Sequence, residues 1–283
     1  MTVNRTIRVA CMQMSSTSSV EQNLAFITSN LESSVPIDLL VLPENFSQMP
    51  ENQRSLRAED DGVGKVQQYL VALAKRLNIV IVAGSLPIVA GKNSRPFARC
   101  LIVTPEGVRF EYDKLHLFDV DVVDKEDESS TQTYRESDSY CAGALNESQV
   151  SPRNLKIGSN TVRLGPSICY DLRFPELYRH FSNSGVDIIT VPAAFTYQTG
   201  SAHWECLLRA RAIENQAYVL AAAQVGVHEN GRQTWGHSMI IDPWGSVLAK
   251  EPSATGLLYA DLDLNHAERL RKTFPVMTHK RLV

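Results

Sequence analysis

The sequence predicts an α/β fold with mixed β-sheets, and three observations support this prediction. Short apolar runs rich in β-branched residues recur along the 283 residues. Several of them lack polar–apolar alternation, which is typical of strands buried on both faces. Apolar residues at helical spacing lie between some of these runs. Two pairs of neighbouring runs are joined by short turn sequences, which indicates hairpins and therefore antiparallel pairing within the sheets.

The predicted strands are short and recur along most of the chain. They are IRVA at 7–10, DLLVL at 38–42, IVIVA at 79–83, CLIV at 100–103, DIITV at 187–191 and AYVLAAA at 217–223. TPEG at 104–107 predicts a hairpin between 100–104 and 107–112, and DPWG at 242–245 predicts one between 237–241 and 246–249. The hairpins make the predicted sheets mixed rather than purely parallel.

Three helices are predicted from apolar stripes. Their members are Val20, Leu24, Ile27 and Leu31; then Val66, Tyr69, Leu70, Leu73, Ala74 and Leu77; then Cys206, Ala210, Ile213 and Ala217. The hydroxyls of SSTSS at 15–19 offer an N-cap for the first helix, and a Thr-Gly-Ser turn is expected to precede the third. The acidic, polar stretch 121–139 has little periodicity, so we expect a long surface loop there.

Composition narrows the class of protein. A net charge of -3 gives no electrostatic reason to expect nucleic acid or an anionic membrane as a partner. Five cysteines without a CxxC pair argue against a disulfide framework or a structural zinc site and suit a reducing compartment. No signal-peptide core, membrane-length apolar run or phosphate-binding glycine motif is present. We therefore expect a cytoplasmic protein with no cofactor and no metal, forming a single domain over 1–283.

Cys169 is the candidate nucleophile. It follows an apolar strand in GPSICYDLRFPELYR and precedes a turn at Pro175 and a helix. A thiol on such an elbow is exposed above a sheet edge, as in the nucleophile elbow of hydrolases. The helix N-terminus and nearby cations would lower its pKa. The competing interpretation is a small buried hydrophobe, since free cysteines are usually buried.

Two further residues complete a reactive set with Cys169. Glu44 lies just past a buried strand and a proline in VLPENF, and Lys114 follows a hairpin strand in YDKLHLFD. Each alone is more simply a surface residue. Together, a carboxylate, a cation and a thiol at strand ends supply an acid/base group, an oxyanion partner and a nucleophile. The alternative of metal ligation by His116, Asp119 and Asp121 matches no strong site.

These segments resemble the nitrilase superfamily of carbon–nitrogen hydrolases. The motifs are LPE with Glu44, YDKLHLFD with Lys114 and ICYDLRFPE with Cys169, separated by 70 and 55 residues. The likeness continues through GVDIITVPAAF (185–195), RARAIENQAYVLAAAQ (209–224) and GHSMIIDPWGSVLA (236–249), and it covers roughly 7–280. It implies a four-layer α-β-β-α sandwich of two mixed sheets flanked by helices. It also implies a homodimer or higher homo-oligomer, with the helix after Cys169 and segment 262–283 at the interface.

Within the superfamily, segments 199–245, LFDVDV at 117–122, YRES at 134–137 and FPVMTHKR at 274–281 resemble the deaminated glutathione amidase branch. The resemblance implies hydrolysis of a small amide through a thioester on Cys169, giving 2-oxoglutarate and cysteinylglycine. Glu44 would be the base, Lys114 and the backbone N–H of Tyr170 would stabilise the oxyanion, and Glu136 would position the lysine and substrate. Arg173, Phe195, Thr199 and His203 would bind the substrate, with Arg173 on its carboxylate.

Several alternatives stay open on sequence alone. An omega-amidase acting on 2-oxoglutaramate is the nearest, and a true nitrilase or a carbamoyl hydrolase is more distant. A non-catalytic binding or scaffold protein that keeps the fold would be expected to have lost part of the Glu44, Lys114 and Cys169 set. A papain-like protease would require a Cys–His pair.

Overall fold

A computed structural model describes residues 5–52, 55–91, 95–123 and 131–281. Its strands are β1 (Thr6–Gln13), β2 (Leu39–Leu42), β3 (Glu59–Asp60), β4 (Val80–Val89), β5 (Phe97–Thr104), β6 (Gly107–Asp113), β7 (Asp119–Val123), β8 (Thr131–Arg135), β9 (Arg153–Ile157), β10 (Asn160–Pro166), β11 (Ile188–Thr190), β12 (Tyr218–Ala221), β13 (Val225–Val227), β14 (Gln233–Trp235), β15 (Ser238–Ile241), β16 (Val247–Glu251) and β17 (Gly256–Asp263).

The helices are α1 (Val20–Glu32), α2 (Lys65–Leu77), α3 (Glu147–Val150), α4 (Pro175–Asn183), α5 (Tyr197–Asn215) and α6 (Leu264–Thr273). Short 3₁₀ turns accompany them at Glu136–Asp138, Cys169–Arg173 and Val276–His279. Within the described ranges, no helix combines the length and the apolarity needed to cross a bilayer.

Both large sheets are mixed, as predicted. The first has the order β17-β1-β2-β4-β5-β6, with β3 beside β4, and the second has the order β16-β15-β12-β11-β10-β9. In the first sheet β1, β2 and β4 run parallel, and in the second β10, β11 and β12 do. β3 also pairs with β4 in parallel, and the other described neighbours in the two sheets pair antiparallel. The TPEG and DPWG turns join β5 to β6 and β15 to β16. The carboxyl ends of parallel strands are where α/β folds place chemistry.

Alternation along β1 shows how the layers stack. Val9 and Cys11 face the second sheet in one apolar cluster, which also contains Leu164 and Ile188. Ala10 and Met12 point the other way, into a second cluster with α1 and α2. Because successive strand side chains alternate between faces, one strand serves both clusters. With α4 and α5 packed on the outer face of the second sheet, the chain forms the α-β-β-α sandwich that the resemblance implied.

The third predicted helix exists, but its buried face was predicted wrongly. Helix α5 begins at an N-cap provided by Thr196, so the expected Thr-Gly-Ser turn is its first turn. Cys206 and Ile213 of the predicted stripe are exposed. The buried face is instead formed by Gly200, Trp204, Leu208, Arg211, Ala212 and Asn215. In the sequence, the charged Arg211 makes this face appear polar. Burial of its guanidinium is tolerated because Nε and Nη2 donate to the carbonyl of Leu172.

The expectation of a long loop at 121–139 is also wrong over its described part. Strands β7 and β8 pair antiparallel, with Asp119 opposite Arg135 at one end and Val123 opposite Thr131 at the other. The 3₁₀ turn at Glu136–Asp138 follows β8. The β-branched residues of DVDVV and TQT favour this pairing. The acidic and polar residues of 121–139 are typical of a surface loop, so the two strands were not predicted. Residues 124–130 lie outside the described residues.

Candidate active site

Glu44 lies two residues beyond the carboxyl end of β2, and its side chain is buried. Oε1 accepts a hydrogen bond from Nζ of Lys114 at 2.8 Å, and Oε2 accepts one from the backbone N–H of Ala194 at 2.7 Å. Ala194 follows β11 of the second sheet, so this carboxylate bridges the ends of the two sheets. Two charge-assisted hydrogen bonds fix the orientation of Glu44.

Lys114 directly follows β6, and it is 1% exposed. Its Nζ lies 2.8 Å from Glu44 and 2.8 Å from both carboxylate oxygens of Glu136. Glu136 also accepts a bond from the backbone N–H of Phe118 at 2.6 Å. The lysine is therefore held between two carboxylates. A buried ammonium group is tolerated only with such pairing.

Cys169 lies at the sharp turn between β10 and the 3₁₀ turn that leads into α4. Its φ of 46° is in the left-handed region, which a non-glycine residue rarely adopts. Such strain costs about 1–3 kcal/mol and is concentrated at functional sites. The backbone N–H of Cys169 donates to the carbonyl of Pro192 at 2.8 Å. Pro175 occupies the first turn of α4, where a proline fits.

A buried carboxylate that the sequence analysis did not single out supports this elbow. Asp171 accepts bonds from the backbone N–H of Ile168 at 2.9 Å and from the hydroxyl of Tyr112 at 2.7 Å. It also contacts His116, at 3.1 Å from the backbone nitrogen and 2.7 Å from Nδ1. Its only signal in the sequence is its place two residues after Cys169. It ties the elbow to the segments before and after Lys114.

The buried charges set the pKa values of the site. Burial alone would raise the pKa of Glu44, but Lys114 and Arg232 outweigh burial and lower it. Burial would lower the pKa of Lys114, yet Glu136 and Glu44 raise it well above its ordinary value. The lysine therefore stays charged, and Glu44 is ionised at neutral pH.

The pKa of the Cys169 thiol is raised rather than lowered, because burial and the charge of Glu44 outweigh the effect of Lys114. This corrects the expectation of an exposed, low-pKa thiol. Burial likewise raises the pKa of Glu136, against the opposing effect of Lys114. A neutral thiol beside an ionised carboxylate needs that carboxylate as its proton acceptor at the moment of attack.

Glu44, Lys114 and Cys169 line a pocket of about 200 Å³. Its wall includes Asn45, Met49, Pro50, Phe118, Tyr134, Arg135, Glu136, Ser139, Tyr140, Tyr170, Arg173, Ala194, Phe195, Thr196, Thr199, Asn230 and Arg232. The predicted substrate-binding residues Arg173, Phe195 and Thr199 are among them. His203 is not among the described residues of the wall, and its Nδ1 lies 3.2 Å from Nη1 of Arg173. Its predicted contact with the substrate stays a prediction.

Tyr170 has the position expected for an oxyanion donor. The N–H of Cys169 is occupied by Pro192, and the next N–H along the chain is that of Tyr170, in the first turn of the 3₁₀ segment. The first N–H groups of a helical turn have no partner within it. The ring of Tyr170 also lines the pocket, with the guanidinium of Arg173 5.9 Å from its centre.

The residues considered for metal ligation have other partners. His116 contacts Asp171, Asp119 accepts from the N–H of Ser137, and Asp121 pairs with Arg135. In the described part of the chain, no cluster of three or more His, Cys, Asp or Glu side chains is arranged to hold a metal ion. The site brings together a thiol, an adjacent carboxylate and a fixed cation, the set of groups that thiol-dependent acyl transfer uses.

Comparisons with known proteins agree with this chemistry. The family model described as "Carbon-nitrogen hydrolase" matches residues 8–272. A curated relative from Yersinia enterocolitica, named deaminated glutathione amidase, is 39% identical over 281 residues, covering 97% of this chain and 93% of its own length.

Two solved structures share the fold. The Caenorhabditis elegans NitFhit protein superposes with a TM-score of 0.84 at 35% identity, over 99% of this chain and 66% of the larger one. Saccharomyces cerevisiae Nit3, described as a member of branch 10 of the nitrilase superfamily, has a TM-score of 0.80 at 26% identity, over 98% and 97% of the two chains.

Proposed function

The chain belongs to the carbon–nitrogen hydrolase family, as an amidase of the nitrilase type, and on that premise we propose that its substrate is deaminated glutathione. The products are 2-oxoglutarate and cysteinylglycine. The observation that carries the proposal is the pairing of Lys114 with both Glu44 and Glu136 in one buried pocket with Cys169. Relatives of this name at 36–39% identity over nearly the whole chain support the choice of substrate.

In the acylation step, Sγ of Cys169 attacks the carbonyl carbon of the scissile amide while Glu44 takes the thiol proton. A sulfur–carbon bond forms, and the carbonyl oxygen becomes an oxyanion between Nζ of Lys114 and the N–H of Tyr170. When this intermediate collapses, the carbon–nitrogen bond breaks. Glu44 passes its proton to the nitrogen, and cysteinylglycine leaves as the amine.

In the second step, water hydrolyses the thioester. Glu44, now ionised, takes a proton from the water as its oxygen attacks the acyl carbon. The same two donors stabilise the second oxyanion. The sulfur–carbon bond breaks, the proton returns to the sulfur, and 2-oxoglutarate is released. Glu136 acts through Lys114, because it holds the ammonium group in position.

The acyl half of the substrate carries a 2-oxo acid carboxylate, and we assign this group to Arg173. The guanidinium of Arg173 lies 5.2 Å from the centre of the Phe195 ring. It makes no ion pair with a carboxylate among the described residues, although Asp171 and Glu176 are close in sequence. A planar guanidinium suits bidentate binding of a carboxylate.

A second candidate substrate is 2-oxoglutaramate, which would make the protein an omega-amidase. The small volume of the pocket, about 200 Å³, favours this substrate. Both candidates carry the same five-carbon acyl group, but ammonia is a much smaller leaving group than cysteinylglycine. A non-catalytic binding protein is the alternative of another class. The presence of Glu44, Lys114 and Cys169 in hydrogen-bonding positions argues against it.

The test compares deaminated glutathione and 2-oxoglutaramate with purified protein. Release of cysteinylglycine, ammonia and 2-oxoglutarate is measured, with Cys169→Ala as the inactive variant and Cys206→Ala as the control at an exposed thiol. We expect a higher kcat/KM for deaminated glutathione and no release by Cys169→Ala. Faster turnover of 2-oxoglutaramate would establish the second candidate, and no turnover of either would overturn both.

We also propose that the protein is a homodimer. Trp244 and Phe274 are 60% and 52% exposed and contact each other with ring centres 5.9 Å apart. Phe274 lies in the C-terminal segment expected at the interface. Sedimentation of the wild type and of Trp244→Ala tests this, because a monomeric wild type would contradict it.

A further inference from the structure

Among the described residues, the pocket wall contains three arginines, of which Arg173 is assigned to the acyl half, Arg135 pairs with Asp121, and Arg232 has no assigned substrate group. Arg232 lies in the surface turn between β13 and β14, and its side chain reaches the pocket wall. Nη2 donates to the carbonyl of Ala194, and Cζ lies 5.7 Å from the centre of the Tyr134 ring. Nε is shielded from solvent and has no hydrogen-bond partner among the described residues.

An unpartnered guanidinium nitrogen in a pocket indicates a missing acceptor. Arg232 forms no ion pair with any carboxylate in the described ranges, unlike Arg99, which pairs with three. A buried donor left without a hydrogen-bond acceptor costs about 1–3 kcal/mol. A carboxylate entering the pocket would supply the missing charge partner of Arg232, because a guanidinium offers a carboxylate two parallel bonds.

Arg173 and Arg232 are connected by a row of aromatic ring contacts in the pocket wall. The guanidinium of Arg173 is 5.9 Å from the centre of Tyr170, and that ring is 5.0 Å from Phe118. Phe118 is 5.1 Å from Tyr134, whose ring carries Arg232 at 5.7 Å. The two guanidinium groups thus contact different rings of the pocket wall, and each is available to a different anionic group of a ligand.

The contacts of Ala194 place Arg232 on the side of the leaving amine. Glu44 accepts from the N–H of Ala194, and Arg232 donates to the carbonyl of the same residue. In the proposed mechanism Glu44 protonates the leaving nitrogen, so that nitrogen lies beside Glu44. Groups attached to the nitrogen therefore extend along the wall that Arg232 shares with Asn230 and Pro50.

We propose that Arg232 binds a carboxylate on the amine half of the substrate, so that the pocket selects amides with an anionic group on each side of the scissile bond. This inference rests on the proposed function and deepens it. In deaminated glutathione the group is the terminal glycine carboxylate. The ammonia that leaves 2-oxoglutaramate carries no such group, so Arg232 is a residue that favours the larger substrate.

The experiment compares deaminated glutathione with its C-terminal carboxamide, in which only the glycine carboxylate is neutralised. We expect the wild type to favour the carboxylate form about 10- to 100-fold in kcat/KM, the range for one charge-assisted hydrogen-bonded pair. In Arg232→Gln this ratio falls towards one, and Arg232→Lys keeps part of it. Any general effect of Arg232 on Glu44 and Cys169 cancels in the ratio.

The matched control is Arg269→Gln, which removes the same charge from an exposed ion pair with Asp263 and should leave the ratio unchanged. A wild type with no preference between the two forms overturns the inference without any variant. An unchanged ratio in an active Arg232→Gln also overturns it, while the proposed function stands. A wild type inactive on both forms overturns the proposed function, and this inference with it.

Discussion

Nζ of Lys114 lies 2.8 Å from Oε1 of Glu44, although the two residues are 70 positions apart in the chain. Glu136 lies at the same distance on the other side of the ammonium group. The charge of Lys114 keeps Glu44 ionised, but Lys114 is shared with Glu136, so the two carboxylates and the lysine together carry a net negative charge when both carboxylates are ionised. The arrangement also holds a positive charge in the pocket that contains Cys169, where the proposed mechanism develops negative charge.

Replacing Glu44 by Gln removes the proton acceptor and keeps the size of the side chain. We expect kcat to fall about 10²- to 10⁴-fold, the usual contribution of general acid–base catalysis. Steady-state hydrolysis of deaminated glutathione measures this. Glu32→Gln, at an exposed residue of α1, is the control. Near wild-type kcat in Glu44→Gln would mean that another group takes the thiol proton.

The pH dependence follows from the lowered pKa of Glu44. The proposed mechanism needs the ionised carboxylate, so activity should be lost on acidification only below the ordinary glutamate value of 4.5. On the alkaline side, the raised pKa values of Lys114 and Cys169 keep the ammonium group and the thiol protonated past neutrality. A kcat/KM profile that is flat through neutrality is expected. An acid limb centred near pH ~6.5, as for an ordinary histidine, would contradict this assignment.

Lys114→Met should both inactivate and destabilise the protein. Without the ammonium group, Glu44 and Glu136 are two buried carboxylates with no cation between them, and breaking such a pair costs about 3–5 kcal/mol. Urea denaturation measures the free energy of unfolding. Adding Glu136→Gln should recover part of the loss, because it removes one of the repelling charges. Equal stability of the double and single variants would contradict a repulsion between Glu136 and Glu44.

Asp171→Asn tests whether this carboxylate positions Cys169. The amide cannot accept from both Ile168 and His116 as the carboxylate does, so we expect a loss of about 1–3 kcal/mol in unfolding free energy. A displaced thiol should lower kcat about 10- to 100-fold with little change in KM. Asp261→Asn, in an exposed pair with Arg8, is the control. A changed stability with unaltered kcat would limit Asp171 to a structural role.

The sequence was most informative where residues follow strands. Glu44 and Cys169 each come shortly after an apolar run, and the carboxyl ends of parallel strands meet at one edge of a sheet. The sandwich architecture and the part of Glu136 came from the resemblance to a family. Periodicity alone could not have supplied them, because it does not determine how two sheets pack.

What the sequence missed depends on contacts between distant segments. Asp171 matters because it meets Tyr112 and His116, and nothing in its own neighbourhood reveals this. In the sequence, Arg232 is indistinguishable from an ordinary turn residue. Its contact with Ala194 depends on the folded hairpin. Helix α5 was assigned the wrong face because burial of Arg211 depends on the carbonyl of Leu172 in another segment.

The most direct test of the account is rapid acid quenching of the enzyme with deaminated glutathione, followed by intact-mass and peptide mass spectrometry. We predict that wild-type protein gains the mass of one 2-oxoglutaryl group less a hydrogen, located on Cys169, as cysteinylglycine is released. Cys169→Ala should gain nothing, and Cys206→Ala should behave as the wild type. Hydrolysis of deaminated glutathione by Cys169→Ala, or an adduct on another residue, would contradict the assignment of Cys169 as the nucleophile.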